Sequence, residues 1–144
     1  MSQNKPIILL DPYPRTMDLL FSKENLNYLK KNFKLITAPN KNKNNFYEKN
    51  LPKADYIFGQ PNLPSSLISK STKLKAIFNV ESNFMDNMDY DYCFRKGIHV
   101  LATSPVFAQP VAEMAMGLTL SIARSIHIAH SDFISKKEKY GGAI

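Results

Sequence analysis

Cysteine is nearly missing. Cys93 is the only one in 144 residues, so no disulfide can close within the chain and a cysteine-based zinc site is excluded. A chain built this way reads as cytoplasmic. Glycine is scarce as well: Gly59, Gly97, Gly117, Gly141 and Gly142 are all there are. No three of them stand in G-x-G-x-x-G or Walker spacing, so no phosphate-cradling loop for a dinucleotide or nucleoside triphosphate is encoded. Long apolar runs are also absent. Near the N-terminus only Ile7 to Leu10 are consecutively apolar, short of the apolar centre that a signal peptide needs. The most hydrophobic stretch, 106–128, is interrupted by Gln109, Glu113, Arg124 and His127. It lacks the uninterrupted apolar run of about 20 residues that spans a bilayer, and it reads as a buried helix with no membrane partner.

Negative charge is in deficit. Nineteen Lys and Arg against twelve Asp and Glu leave a formal charge of +7, which raises anionic partners. The basic residues of 30–53 are mostly lysines mixed with asparagine. Without interleaved arginine and aromatic residues they form a solvated face rather than a nucleic-acid surface.

What is present is the composition of one globular domain, 44% hydrophobic and 22% charged. Ile7–Leu10 is a short apolar run closed by Asp11, which reads as a buried strand followed by a loop. Ser22 caps a helix to Asn32 that places Leu26, Leu29 and Phe33 on one side. A second strand is expected over 33–37, one irregular helical turn in the polar segment to Asn50, and further strands over 54–58, 74–79 and 98–101. Short helices are expected to begin near Pro64 and to run from Tyr90 to Lys96, stopped by Gly97. Strand and helix alternate throughout, which implies βαβ units. The expected fold is therefore α/β: a flavodoxin-like, doubly wound, parallel five-stranded sheet in order 2-1-3-4-5, plus a long C-terminal crossover helix. That helix is expected from Gln109, with Pro110 in its first turn and Val111, Ala115, Leu118, Ile122, Ile126 and Ala129 in one stripe. Met114, Met116 and Leu120 widen the stripe, so the helix is expected to be covered on more than one side.

Most chemistry-bearing residues have plain structural readings. Cys93, between Tyr92 and Phe94, reads as a small packing residue. His127 and His130 lie three apart with no third ligand in view, so no metal is assigned. His99 opens a strand and reads as structural. Asp11 invites a phosphoreceiver reading, but such a domain needs its acceptor aspartate at the end of the third strand, where Gly59-Gln60 stand. The loop 80–84 follows the fourth strand, at the carboxyl edge where open α/β sheets bind ligands.

Several ordered motifs carry a family resemblance: Asn87-Met88-Asp89 after the loop, then Gly97-Ile98-His99-Val100, then Val111-Ala112-Glu113 opening a helix. Over residues 54–135, and more weakly before them, the chain resembles the D-isomer-specific 2-hydroxyacid dehydrogenases. The resemblance implies that 1–105 form the substrate (catalytic) domain, and that 106–144 form the crossover helix and the start of a missing NAD-binding domain. It implies substrate contact at Glu81, Ser82 and Asn83 through backbone N–H groups, with Gln60 bordering the pocket and Val111 near the nicotinamide. The family's catalytic arginine, acid and histidine are expected downstream of this chain, so no catalytic residue is assigned within it. The implied function is the N-terminal part of an NAD-dependent oxidoreductase, with NADP as the other nicotinamide, acting on a small 2-hydroxy or 2-oxo acid. A homodimer is implied for the intact form, and the 144-residue chain alone is expected to be inactive. A stand-alone, non-catalytic binding or interaction module with the same fold is the alternative. The family's usual glycine-rich substrate loop is here Val80-Glu81-Ser82-Asn83-Phe84. A carboxylate at Glu81 would repel an anionic substrate unless it points away or pairs.

Overall fold

A computed structural model describes residues 5–81 and 83–137. Five strands, β1 (Ile7–Asp11), β2 (Lys34–Thr37), β3 (Tyr56–Gly59), β4 (Ala76–Phe78) and β5 (His99–Leu101), form one sheet in the order β2-β1-β3-β4-β5. All four pairings are parallel. Parallel neighbours need crossovers, and helices supply them: α1 (Met17–Leu20), α2 (Lys23–Asn32), α3 (Lys43–Asn50), α4 (Ser65–Ile68) and α5 (Tyr90–Arg95). Ile8, Leu9 and Leu10 are buried in succession, as expected where both faces of a central parallel strand are covered. The register places Leu9, Ile57, Ile77 and Val100 in one row. That row is the centre of a core completed by Leu51, Leu63, Ile68 and Cys93. Phe58 and Phe78 alternate to the other face, where their rings stack at 4.6 Å and Phe21 meets Phe58 edge-on at 5.5 Å.

The caps follow the sequence. Ser22 Oγ accepts the Asn25 N–H at 3.2 Å, and Gly97 follows α5 with φ +70°, a conformation that suits glycine at a helix end. Two expectations about local structure are corrected. The stretch before Asn50 is no irregular turn but the regular α3, followed by a 3₁₀ turn over Leu51–Lys53. Its lysines and asparagines hide one anchor: Tyr47 is 1% exposed and packs edge-on against Phe46.

The long helix, α6, runs Ser104–Ala123, so Pro105 rather than Pro110 occupies its first turn and Pro110 lies inside it. Lacking an N–H, Pro110 cannot donate to the Val106 carbonyl. Ser125, at φ 52°, separates α6 from α7 (Ile126–Ile134). The burial expected of this stretch is not made within this chain, since neither α6 nor α7 has a buried residue. With 20 residues and a mean hydropathy of 1.3, α6 is long and apolar enough to cross a membrane by length and composition.

The chain divides at Pro105/Val106 into two compact units. The first contains the sheet, and the second contains α7 and nearly all of α6.

Candidate functional site

The carboxyl edge of the sheet gathers the loops that leave β1, β3 and β4, and β3 lies between the other two. The edge is tight at its root. Asp11 pairs in register with Gly59, and a Cβ on Gly59 would collide with the Asp11 carbonyl oxygen. Only glycine allows the two strands to close this far. Asp11 is 2% exposed and its carboxylate is fully engaged. It accepts from Lys43 Nζ at 2.6 Å and from the Tyr47 hydroxyl at 2.9 Å. Burial, reinforced by the Asp11 charge and hydrogen bond, pushes the Tyr47 hydroxyl well above the usual tyrosine range. Tyr47 thus keeps its proton and serves as a fixed donor. Lys43 Nζ also lies 5.1 Å from the centre of the Tyr13 ring.

Above this root the polar contacts run sideways from loop to loop. Gln60 Oε1 accepts the Glu81 N–H at 3.4 Å, and Gln60 Nε2 donates to Asn87 Oδ1 at 3.3 Å. Asn87 Nδ2 donates to the Pro61 carbonyl at 2.6 Å. The Tyr90 hydroxyl lies 2.6 Å from the Met85 carbonyl and 3.0 Å from Asn87 Oδ1. Its single proton can serve only one of them at a time.

The Asn87-Met88-Asp89 motif has a physical content of its own. Asn87 holds the loop after β3, Met88 is buried and bridges to Leu63, and the Asp89 carboxylate accepts the Tyr92 N–H at 2.8 Å to cap α5. Asn79, 1% exposed at the end of β4, sits beside the Tyr90 hydroxyl. Its side-chain amide makes no well-formed hydrogen bond among the described residues.

Glu81 does not stand as an unpaired carboxylate. Arg15, in the loop after β1, donates Nε and Nη2 to its two oxygens at 3.2 Å each. The pair reaches across Gln60, because β3 separates β1 from β4.

Of the residues assigned from sequence, the structure brings Gln60 and Glu81 together, and Asn83 is exposed two positions on. Ser82 lies outside the described residues. Val111 is exposed on α6, in the second compact unit. Arg15, Asn79, Asn87 and Tyr90 were not assigned to the site from sequence. Arg15 had a legible signal, since the strand order 2-1-3-4-5 sends the loop after β1 to the same edge as Glu81.

The remaining candidates are structural. Cys93 is fully buried, and burial raises its thiol above the ordinary range. His127 Nδ1 lies 3.3 Å from the Ser121 carbonyl. Among the described residues, no three His, Cys, Asp or Glu side chains cluster as a metal site would require.

Comparison with known proteins agrees with this topology. Residues 15–140 match the family model described as D-isomer specific 2-hydroxyacid dehydrogenase, catalytic domain. The crystal structure of a phosphoglycerate oxidoreductase from Rhizobium etli is similar at 38% identity and a TM-score of 0.84, over 96% of this chain and 43% of that one. An NADPH-dependent glyoxylate/hydroxypyruvate reductase from Sinorhizobium meliloti, solved with NADP and malonate, shares the fold. It does so at 21% identity and a TM-score of 0.60, over 97% of this chain and 41% of that one. This chain therefore spans about two-fifths of the length of the solved structures it matches. No curated protein matches it.

Proposed function

This chain belongs to the D-isomer-specific 2-hydroxyacid dehydrogenase family, and on that premise we propose that it supplies the substrate-binding part of a nicotinamide-dependent oxidoreductase. The substrate class is a small 2-hydroxy or 2-oxo acid, and the assembly we propose is a homodimer working in the cytoplasm. One observation carries the reading: Gln60 and Glu81, on neighbouring strand ends, are joined by a hydrogen bond at the carboxyl edge. Because the Glu81 N–H is engaged by Gln60, Glu81 anchors the loop. The donors for a substrate carboxylate then fall to Ser82 and Asn83. Backbone N–H groups suit this task because they offer partial positive charge without a flexible side chain.

The residues described do not fit the nicotinamide dinucleotide. A pyrophosphate needs a glycine turn opening a helix. Gly59 is closed against Asp11, Gly97 follows the end of α5, and Gly117 lies inside α6. No hydride-transfer step is therefore derived from these residues, and Val111 remains a proposed neighbour of the nicotinamide, whether NAD or NADP.

The test is a titration of the isotope-labelled chain with glyoxylate, pyruvate and hydroxypyruvate, followed by amide NMR shifts, with acetate as control. Shifts confined to residues 60, 80–84 and 87 are expected. Shifts centred elsewhere, or equal shifts with acetate, would refute the reading.

A further inference from the structure

We propose that Arg15 is a specificity-determining residue that receives a second anionic group on the substrate, carboxylate or phosphate, with Glu81 as its counter-ion in the empty site. The inference rests on the reading of 81–83 as the substrate loop. Four observations support it.

First, Arg15 and Glu81 come from loops on either side of Gln60 and meet over that loop, so a ligand seated there lies within a side chain's reach of the guanidinium. Second, the pair is loosely made. Both bonds are 3.2 Å, against about 2.8 Å for a tight charge-assisted bond. The two side chains are 44% and 30% exposed. Such pairs are worth roughly 0–1 kcal/mol, so little opposes an exchange of partners. Third, the Glu81 backbone N–H has its own contact, to Gln60 at 3.4 Å, that does not depend on where the carboxylate points. Fourth, Nε and Nη2 make the bonds to Glu81. A guanidinium has five N–H donors in a planar fork, and the Nη1 edge can meet a second oxyanion.

Lys43, also near this edge, is committed elsewhere. It is bound to the buried Asp11, and giving up that partner would strand a buried carboxylate. Arg15 can exchange Glu81 for a ligand at far lower cost. A tail bearing a full second charge competes with the Glu81 carboxylate on at least equal terms, whereas an uncharged tail gains nothing from Arg15.

The experiment uses 2-oxo acids matched in carbon skeleton whose tails end in a carboxylate or a methyl group: 2-oxoglutarate against 2-oxovalerate, and oxaloacetate against 2-oxobutyrate. Dissociation constants for the 144-residue chain are read from amide shifts of residues 80–84. The dianion should bind roughly fivefold more tightly in at least one pair, the size expected of one half-exposed ion pair. In Arg15→Gln the preference should vanish or invert. In Glu81→Gln it should grow, by roughly another fivefold, because the resting competitor is gone. The two variants move the ratio in opposite directions, so a general loss of folding cannot imitate the pattern. Binding of both members of each pair with equal affinity, or a preference that survives Arg15→Gln, would overturn the proposal while leaving the substrate loop in place. No shift at residues 80–84 with any acid would overturn the loop reading and this inference with it.

Discussion

At the centre of the sheet the apolar residues close over one another, whereas from Val106 to Ile134 they face outward: Ile57 and Ile77 are 0% exposed, but Val106 and Ile122 are 72% and 70%. Composition does not account for the contrast, since residues 106–134 are richer in apolar residues than 7–101. They differ in what surrounds the side chains. In the first unit the central strand residues meet partners in register and pack into one core. In the second, a helix of 20 residues and one of nine carry exposed apolar side chains around their surfaces. Stability in the first unit therefore resides in side-chain packing. Helix formation in the second rests on backbone hydrogen bonds and intrinsic propensity. Contiguous exposed apolar surface on this scale also marks a region made for contact.

The largest test of that contrast is a matched pair of truncations. Ile57→Ala should cost about 4 kcal/mol, because the site is central in the sheet and cannot collapse around the lost atoms. Leu118→Ala, on a side chain 59% exposed in α6, should change stability by no more than about 0.5 kcal/mol. Urea denaturation followed by tyrosine fluorescence and by far-ultraviolet circular dichroism measures both. Equal costs would mean that α6 is covered in solution and would break the comparison.

Gly59→Ala should cost about 3 kcal/mol, because the new Cβ would drive into the Asp11 carbonyl at the root of the edge. A fully stable Gly59→Ala variant would show that β1 and β3 can separate at their carboxyl ends. That outcome would also loosen the placement of Gln60.

Much of the fold could be read because the relevant signals are local. Parallel order followed from alternation, the start of α2 from Ser22, and the stop of α5 from Gly97. The failures came where local composition and tertiary role disagree. Residues 43–50 are polar enough to look irregular, yet Lys43 and the buried Tyr47 bind them to Asp11 across 32 and 36 positions of sequence. Pro110 looks like a helix start until Pro105 takes that place. At the site, Gln60 and Glu81 were legible from topology, and the charge conflict at Glu81 could be stated from sequence. For its resolution by Arg15, 66 positions away, the strand order brings the two loops to one edge, but the ion pair itself leaves no periodic trace.

Alkaline pH should separate the two units next. The Tyr47 hydroxyl is raised in the folded state by burial and by Asp11. Its contribution is fully present below the unfolded tyrosine value of about 10 and is lost as pH rises above it. The first unit should lose up to about 1.4 kcal/mol per pH unit from that point, with a smaller loss of the same sign from the buried Cys93 thiol at lower pH. Residues 106–137 contain neither tyrosine nor cysteine, so α6 and α7 should keep their helicity over the same range. Tyr47→Phe should cost about 1 kcal/mol at neutral pH and flatten the fall above pH 10 or so. An unchanged alkaline slope in that variant would remove Tyr47 from the account.

The smallest expected effect has the opposite sign. Gly117 lies inside α6, and a Cβ built there meets nothing within 4 Å. A glycine at such a place weakens a helix by roughly 0.8–1 kcal/mol relative to alanine, because it gives up more backbone freedom and adds no contact. Gly117→Ala should therefore stabilise α6 by up to that amount, seen as a rise in helical signal at 222 nm and a later thermal loss of it, with the denaturation midpoint of the first unit unchanged. The same substitution would thus stabilise one unit and destabilise the other at Gly59, for the single reason that one Cβ enters open space and the other meets backbone. A loss of helicity in Gly117→Ala would show that another surface approaches α6 at that glycine in solution, and the picture of an uncovered second unit would fall.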